Sequence, residues 1–278
     1  MLFFVYTSDI KYIKESIMFN EKLITKNILT TLNNSTSGAT IHVAVSGGAD
    51  SMSLLYLASK IVDTNVFIHH VKHNVSKNTK EWSDFVKNFA SILGFNTDTQ
   101  YIEHDLHFDS MQNFESEARK KRYEAIFSYM NSGDILLLGH HADDQVENVL
   151  INLFKGRGIN GLTSLQEKNI HSNGVVLYRP LIHTNKEDII AYLNNQEISF
   201  IHDESNDSSD YDRNFIRNKV IPLLLERFKP LKRSILSVHK ALTNSRIVME
   251  ELIDAKINDI SENGEVDVTQ FNSLSVET

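Results

Sequence analysis

Short apolar runs alternate with longer amphipathic stretches from about residue 41 to residue 205, and this alternation limits the folds open to the chain. Residues 41–45, 66–71, 135–138 and 175–178 read as strands, and 99–103 as a weaker one. Between them 52–61, 77–93, 113–130, 142–155 and 186–194 read as helices, with Gly94 stopping the second. Strands and helices in this order predict a mostly parallel sheet with helices on both faces, a doubly wound α/β domain. Ligands of such sheets lie beyond the carboxyl ends of the strands. From about Asn206 the strand signal stops, and 213–228, 231–244 and 247–257 read as helices. Pro222 is expected near a helix start or kink, and Pro230 between two helices. The expected organisation is an extension over 1–20, with Met18 as an alternative start, an α/β domain over 21–205, and a second, smaller all-α domain over 206–278. Residues 33–38 and 205–210 read as loops.

The first strand runs into Ser46-Gly47-Gly48-Ala49-Asp50-Ser51 and then into a helix. Paired glycines let the backbone turn tightly and bring its N–H groups close to an anion. The helix N-terminus adds about half a positive charge. Ser46 and Ser51 can hydrogen-bond phosphate oxygens. Asp50 would repel a bare phosphate, and makes sense if it holds a Mg²⁺ ion on a nucleotide. No Gly-x-x-x-x-Gly-Lys-Ser/Thr occurs in the chain, so this is not the common phosphate loop. Taken alone, the run also fits an ordinary strand-to-helix turn.

A second constellation, Gly139-His140-His141-Ala142-Asp143-Asp144-Gln145-Val146-Glu147, follows another buried strand. On a helix, His140, Asp143, Asp144 and Glu147 fall within roughly a 100° arc. Val146, Val149, Leu150 and Leu153 fall opposite, a face that can bury. Three carboxylates on one arc repel each other unless a cation relieves them. Mg²⁺, a substrate ammonium or an arginine would serve. Acids complementing the helix dipole, with His140 exposed, is the plainer alternative. Gly156-Arg157-Gly158-Ile159-Asn160-Gly161 fits a dinucleotide fingerprint in letters only. It follows a helix rather than a strand, so that reading fails its context; a mobile basic loop fits better.

Composition narrows the chemistry. The 278 residues include no cysteine, which excludes disulfides, thiolate metal sites, thiolate-held Fe–S clusters and cysteine nucleophiles. A cytoplasmic setting fits that usage. No apolar run approaches the ~20 residues that span a membrane. The net charge is −8, but it is unevenly spread. Residues 206–244 carry eight Lys/Arg against four Asp/Glu, and 245–278 carry two against eight. Arg119-Lys120-Lys121-Arg122 is a further basic run. A basic strip on an acidic chain can track a nucleic-acid backbone, and each cluster also reads as a solvated helix face.

The run Ser46 to Ser51 resembles the pyrophosphate loop of the N-type ATP pyrophosphatases, which cleave ATP between the α and β phosphates. With His140-His141-x-Asp143-Asp144-Gln145-x-Glu147 added, the chain resembles the tRNA(Ile)-lysidine synthetases. Further matches follow in the family's order. They are Asn113-x-Glu115-x-x-Ala118-Arg119-x-x-Arg122-Tyr123, Lys155-Gly156-Arg157-Gly158-Ile159-Asn160-Gly161-Leu162, and Arg179-Pro180-Leu181. The last is Asp203-x-Ser205-Asn206 with Tyr211-x-Arg213-Asn214-x-x-Arg217. The likeness covers about residues 20–230. Glu204 stands where the family has proline, and the C-terminal domain of longer relatives is expected to be absent here.

The resemblance implies an adenine nucleotide α-hydrolase-like fold and a ligase that uses ATP and Mg²⁺. Its substrates would be L-lysine and tRNA(Ile) with a CAU anticodon, its location the cytoplasm, and a homodimer is common. It implies a nucleotide cradle of Ser46, Gly47, Gly48, Ala49, Asp50 and Ser51, with Mg²⁺ on Asp50 and Asp144. Catalysis would fall to Asp50, His140, Asp144 and Glu147, with Arg119, Arg122 and Arg213 neutralising phosphate or holding the lysine carboxylate. Asp143, Lys155, Arg157, Asn214 and Arg217 are expected on the substrate or tRNA side. Each arginine also reads as a partner in an ordinary ion pair. The competing functional readings are an amidating ligase with another acceptor and a non-catalytic ATP-binding module.

Overall fold

A computed structural model describes residues 19–61, 65–72, 79–106, 114–203 and 211–259, with the pairs 261–262 and 265–266. The expected extension up to residue 18, Asn113, the Ser205–Asn206 motif and the boundary at 205/206 lie outside the described residues.

Helix α1 (Glu21–Asn33) starts under Asn20, whose side chain accepts the Leu23 N–H at 3.0 Å. It turns Ile24, Ile28 and Thr31 inward. Strand β1 (Ile41–Ala44) leads into α2 (Ala49–Ser59), and β2 (Val66–Lys72), α3 (Thr79–Ile92) and β3 (Tyr101–Asp105) follow. Helix α4 (Phe114–Phe127) leads to β4 (Ile135–Leu137) and then α5 (Ala142–Phe154). After the short α6 (Ile159–Leu162) come β5 (Lys168–Ile170), β6 (Val176–Tyr178) and α7 (Lys186–Asn195).

The six strands form one sheet in the order β3-β2-β1-β4-β6-β5, parallel except for the β5–β6 pair. This confirms the mostly parallel α/β sheet. The order reverses between β1 and β4, so the crevice for a ligand opens above the carboxyl ends of these two strands. Central strands read as continuous apolar runs because both faces are covered, and Ile41, Val43, Ile68, Ile135 and Leu137 are fully buried. The weak strand expected over 99–103 lies two residues later, at Tyr101–Asp105. The edge strand β5 was not expected; Lys168-Asn169-Ile170 carries no apolar run, and its partner β6 makes it a strand.

The sheet carries a buried chain of imidazoles. His42 Nδ1 lies 2.7 Å from His69 Nε2, and His69 Nδ1 lies 2.8 Å from His104 Nε2. Thr40 gives its hydroxyl proton to Asp134 at 2.9 Å, so its oxygen accepts from His42 Nε2 at 2.9 Å. That single constraint points every link toward Asp134. Burial pushes His42 down to about 4 and His69 down to about 3.

The described chain divides into two compact units, one within 1–145 and 166–208, the other within 146–165 and 209–278. Sequence patterning places the second segment after 205. In the structure Val146 and Leu150 of α5 join Ile216 and Ile221 in a separate apolar cluster, which assigns 146–165 to the second unit. The helix expected over 213–228 is interrupted. It is built of α8 (Asp212–Phe215), a π-helical turn over Ile216–Val220, and α9 (Ile221–Arg227). Pro222 has no N–H for the Asn218 carbonyl, and the Ile221 N–H reaches back five residues to the Ile216 carbonyl. The two helices expected over 231–244 and 247–257 are one, α10 (Leu231–Asp259), which contains neither glycine nor proline. An Arg246–Glu250 ion pair at 2.8 Å supports its middle.

Candidate active site

Residues 45–51 connect β1 to α2 at the reversal point. Gly47 has φ +96°, open to glycine and strained for other residues, and a Cβ there would overlap Ile201, whose N–H bonds the Gly47 carbonyl at 2.9 Å. Ser51 is buried at the helix start. Its Oγ accepts the N–H groups of Ser46 and Gly47 at 3.1 and 3.2 Å and donates to the Gly48 carbonyl at 2.9 Å. Two loop amides therefore converge on one oxygen, the geometry a phosphate oxygen would require.

The adjacent strand β4 delivers the second constellation to the same edge. Gly139 lies so close that a Cβ would stand 3.1 Å from Asp50 Cβ and 3.3 Å from the Ser51 nitrogen. His141 caps α5, with Asp144 accepting its N–H at 3.0 Å. The His141 ring lies among three carboxylates, 3.7 Å from Asp50, 3.7 Å from Asp143 and 3.5 Å from Asp144. Asp50 Oδ1 and Asp144 Oδ2 both face His141 Nε2. Asp143 also accepts the Lys186 N–H at 2.9 Å, tying the starts of α5 and α7 together. Lys186 donates to both oxygens of Asp50 at 2.7 Å.

The structure thus brings Ser46, Gly47, Gly48, Ala49, Asp50, Ser51, Asp143 and Asp144 to one edge. His141 lies among the acids, and His140 directly precedes it at the end of the loop before α5. The acids from Ala142 onward share the expected helix, and of the cations that could relieve them Glu147 has arginines. The Glu147 side chain is 2% exposed and lies within the second unit, gripped by Arg213 Nε at 2.8 Å and by Arg217 Nε and Nη2 at 2.6 and 2.8 Å. Leu153, expected to bury, is exposed. The cations that relieve the acids are the chain's own: Lys186 for Asp50, and the two arginines for Glu147. Sequence reading missed Lys186 because its contact with Asp50 spans 136 positions; its place at the first turn of a helix gave no signal.

In the first unit, Arg119 is exposed and stacks over Tyr123, 5.2 Å from the ring centre. Arg122 is half-buried, and burial together with nearby Arg119 holds its guanidinium below the ordinary value. Arg179 is buried and bonds the Gln166 carbonyl and Asn169 at 2.8 and 2.7 Å, fixing the β5–β6 hairpin. In the second unit Lys155 pairs with Asp212 at 2.7 Å, Arg157 is exposed, and Asn214 is half-buried on α8. The glycine-rich loop follows α5 and encloses α6, with Gly156 at φ +64°.

A glycine-rich anion loop and an acidic helix start on neighbouring parallel strands define a nucleotide-using α/β class. Residues 20–224 match the PP-loop domain model, and the chain belongs to that family. Among named relatives, it is 36% identical over 216 residues to the tRNA(Ile)-lysidine synthase of Vibrio parahaemolyticus, covering 77% of this chain and 49% of the relative. It is 32% identical over 237 residues to the tRNA(Ile)-lysidine synthase of Haemophilus ducreyi, covering 84% of this chain and 54% of the relative. The chain spans about half the length of the curated relatives it matches. The solved U34-tRNA thiolase NcsA from Methanococcus maripaludis shares the fold, with TM-score 0.61 over 80% of this chain and 78% of that one at 18% identity.

The donor set suits Mg²⁺. Asp50 already draws the Lys186 ammonium onto both oxygens, and Asp144 faces the same His141 nitrogen as Asp50 does. Among the described residues no cluster of three or more ligating side chains is arranged for a metal.

Proposed function

We propose that this chain ligates free L-lysine to carbon 2 of the wobble cytidine of tRNA(Ile) with a CAU anticodon. The observation that carries the reading is the convergence of the pyrophosphate loop and the His141–Asp143–Asp144 helix start beside Asp50, supported by the named relatives. ATP lies with its phosphates on residues 46–51. The cytidine O2 attacks the α-phosphorus, the bond to the β-phosphate oxygen breaks, and pyrophosphate leaves. The adenylated carbon 2 is then attacked by the lysine ε-amine, and the former O2 departs with AMP. Mg²⁺ would be held by Asp50, where it would neutralise charge on the phosphates.

The amine attacks only after losing a proton. We assign the holding of the ammonium and the acceptance of that proton to Asp144, oriented by His141. Glu147 has its oxygens engaged by two arginines, so its role here is to set Arg213 and Arg217, whose half-exposed guanidiniums offer charge to an RNA backbone phosphate. Arg119 and Arg122, with Lys155, Arg157 and Asn214, are the remaining candidates for phosphate, lysine carboxylate and tRNA contacts. The cytoplasmic setting and the homodimer belong to the same reading.

The test is AMP release and labelled-lysine incorporation with ATP, Mg²⁺ and unmodified tRNA(Ile) bearing CAU. Lysine enters the RNA with the wild-type chain and is lost with Asp144→Asn. AMP release without incorporation would mean a different acceptor, and no turnover would favour the nucleotide-binding module.

A further inference from the structure

The nucleotide site is internally satisfied at two points. The loop amides of Ser46 and Gly47 close on the hydroxyl of Ser51, and the Asp50 carboxylate is bridged by the Lys186 ammonium. Lys186 opens α7, with its backbone N–H fixed by Asp143. Its stem therefore starts from a held point beside the acidic helix, while the side chain is 36% exposed. Asp50 is the second residue of α2, directly after the loop, so an ammonium leaving Asp50 stays within reach of phosphates on that loop.

An ammonium and a metal ion cannot both claim the two oxygens of one carboxylate, and as like charges they repel at that range. We propose that Lys186 is the exchangeable counter-ion of the nucleotide site. It neutralises Asp50 while the site is empty, gives way there to the metal arriving with nucleotide, and transfers its charge to the phosphates. It is thus a positioning residue for the phosphates, and the inference rests on the reading that the loop binds ATP.

The test uses Mn²⁺ alone, followed by electron paramagnetic resonance, and then α,β-methylene-ATP with Mg²⁺, followed by calorimetry. Both use the intact chain as wild type, Lys186→Met, Lys186→Arg and Asp50→Asn. Thermal melts check folding, and Lys186→Arg keeps the charge should Lys186→Met be destabilised. Without nucleotide, Lys186→Met binds Mn²⁺ about tenfold tighter than wild type, the scale on which a neighbouring charge moves such an equilibrium. Lys186→Arg stays near wild type and Asp50→Asn loses the site. With nucleotide the order inverts, and Lys186→Met binds the analogue about tenfold more weakly. Equal or weaker Mn²⁺ binding in Lys186→Met would overturn the competition, and unchanged analogue binding would overturn the transfer. Failure of the wild type to bind the analogue would instead sink the ATP reading.

Discussion

At the scale of single residues, buried polar groups set the chain's sensitivities. His42 and His69 bind protons more weakly when folded than the ordinary histidine near 6.5. Between pH 6.5 and about 4 the unfolded chain therefore holds more protons than the folded one. Their contribution is complete above 6.5 and is lost as pH falls toward their folded values. Each tenfold loss of proton affinity on folding corresponds to about 1.4 kcal/mol, so acidification from pH 7 to 5 lowers the melting temperature. Asp134 faces His42, while His104 and the Tyr129 ring face His69, and His104 is itself lowered, first by burial and then by His70. His69→Gln is expected to melt lower at pH 8 but to lose less between pH 7 and 5, measured by circular dichroism. Glu147→Gln leaves two guanidiniums short of a carboxylate. Because both are partly exposed, the cost is about 1–3 kcal/mol in urea unfolding rather than the larger penalty of a fully buried pair.

At the scale of elements, the glycines of the two loops decide how closely β1, α2 and α5 approach. Gly47→Ala meets both a positive φ and the Ile201 side chain. It is expected to destabilise by about 1–3 kcal/mol and to weaken nucleotide binding, read from urea titration and calorimetry. Gly139→Ala has an ordinary φ but presses on Asp50, so it should weaken nucleotide binding more than stability. The exposed apolar residues of α10 behave differently. Val248, Met249, Leu252 and Ile253 are more than half exposed, so Leu252→Lys should change stability by less than about 0.5 kcal/mol.

At the scale of the whole molecule, the alternating pattern determined the parallel sheet, because strands buried on both faces must be apolar along their length and helices must carry one apolar face. The motif Ser46 to Ser51 was likewise legible as an anion cradle, since a strand–glycine–helix turn can present several amides to an anion. The acids after Gly139 were visible as a cluster in need of a cation. Which cation was a tertiary matter: Lys186 reaches Asp50 across 136 positions, and Arg213 and Arg217 reach Glu147 across 66 and 70. Spacing along a chain fixes which residues share a helix face, but not what another segment brings against it. For the same reason nothing in the spacing showed that His141 would lie among three carboxylates, or that His42, His69 and His104 would line up across three strands. Those pairings depend on strand order and register, which arise only when the sheet closes.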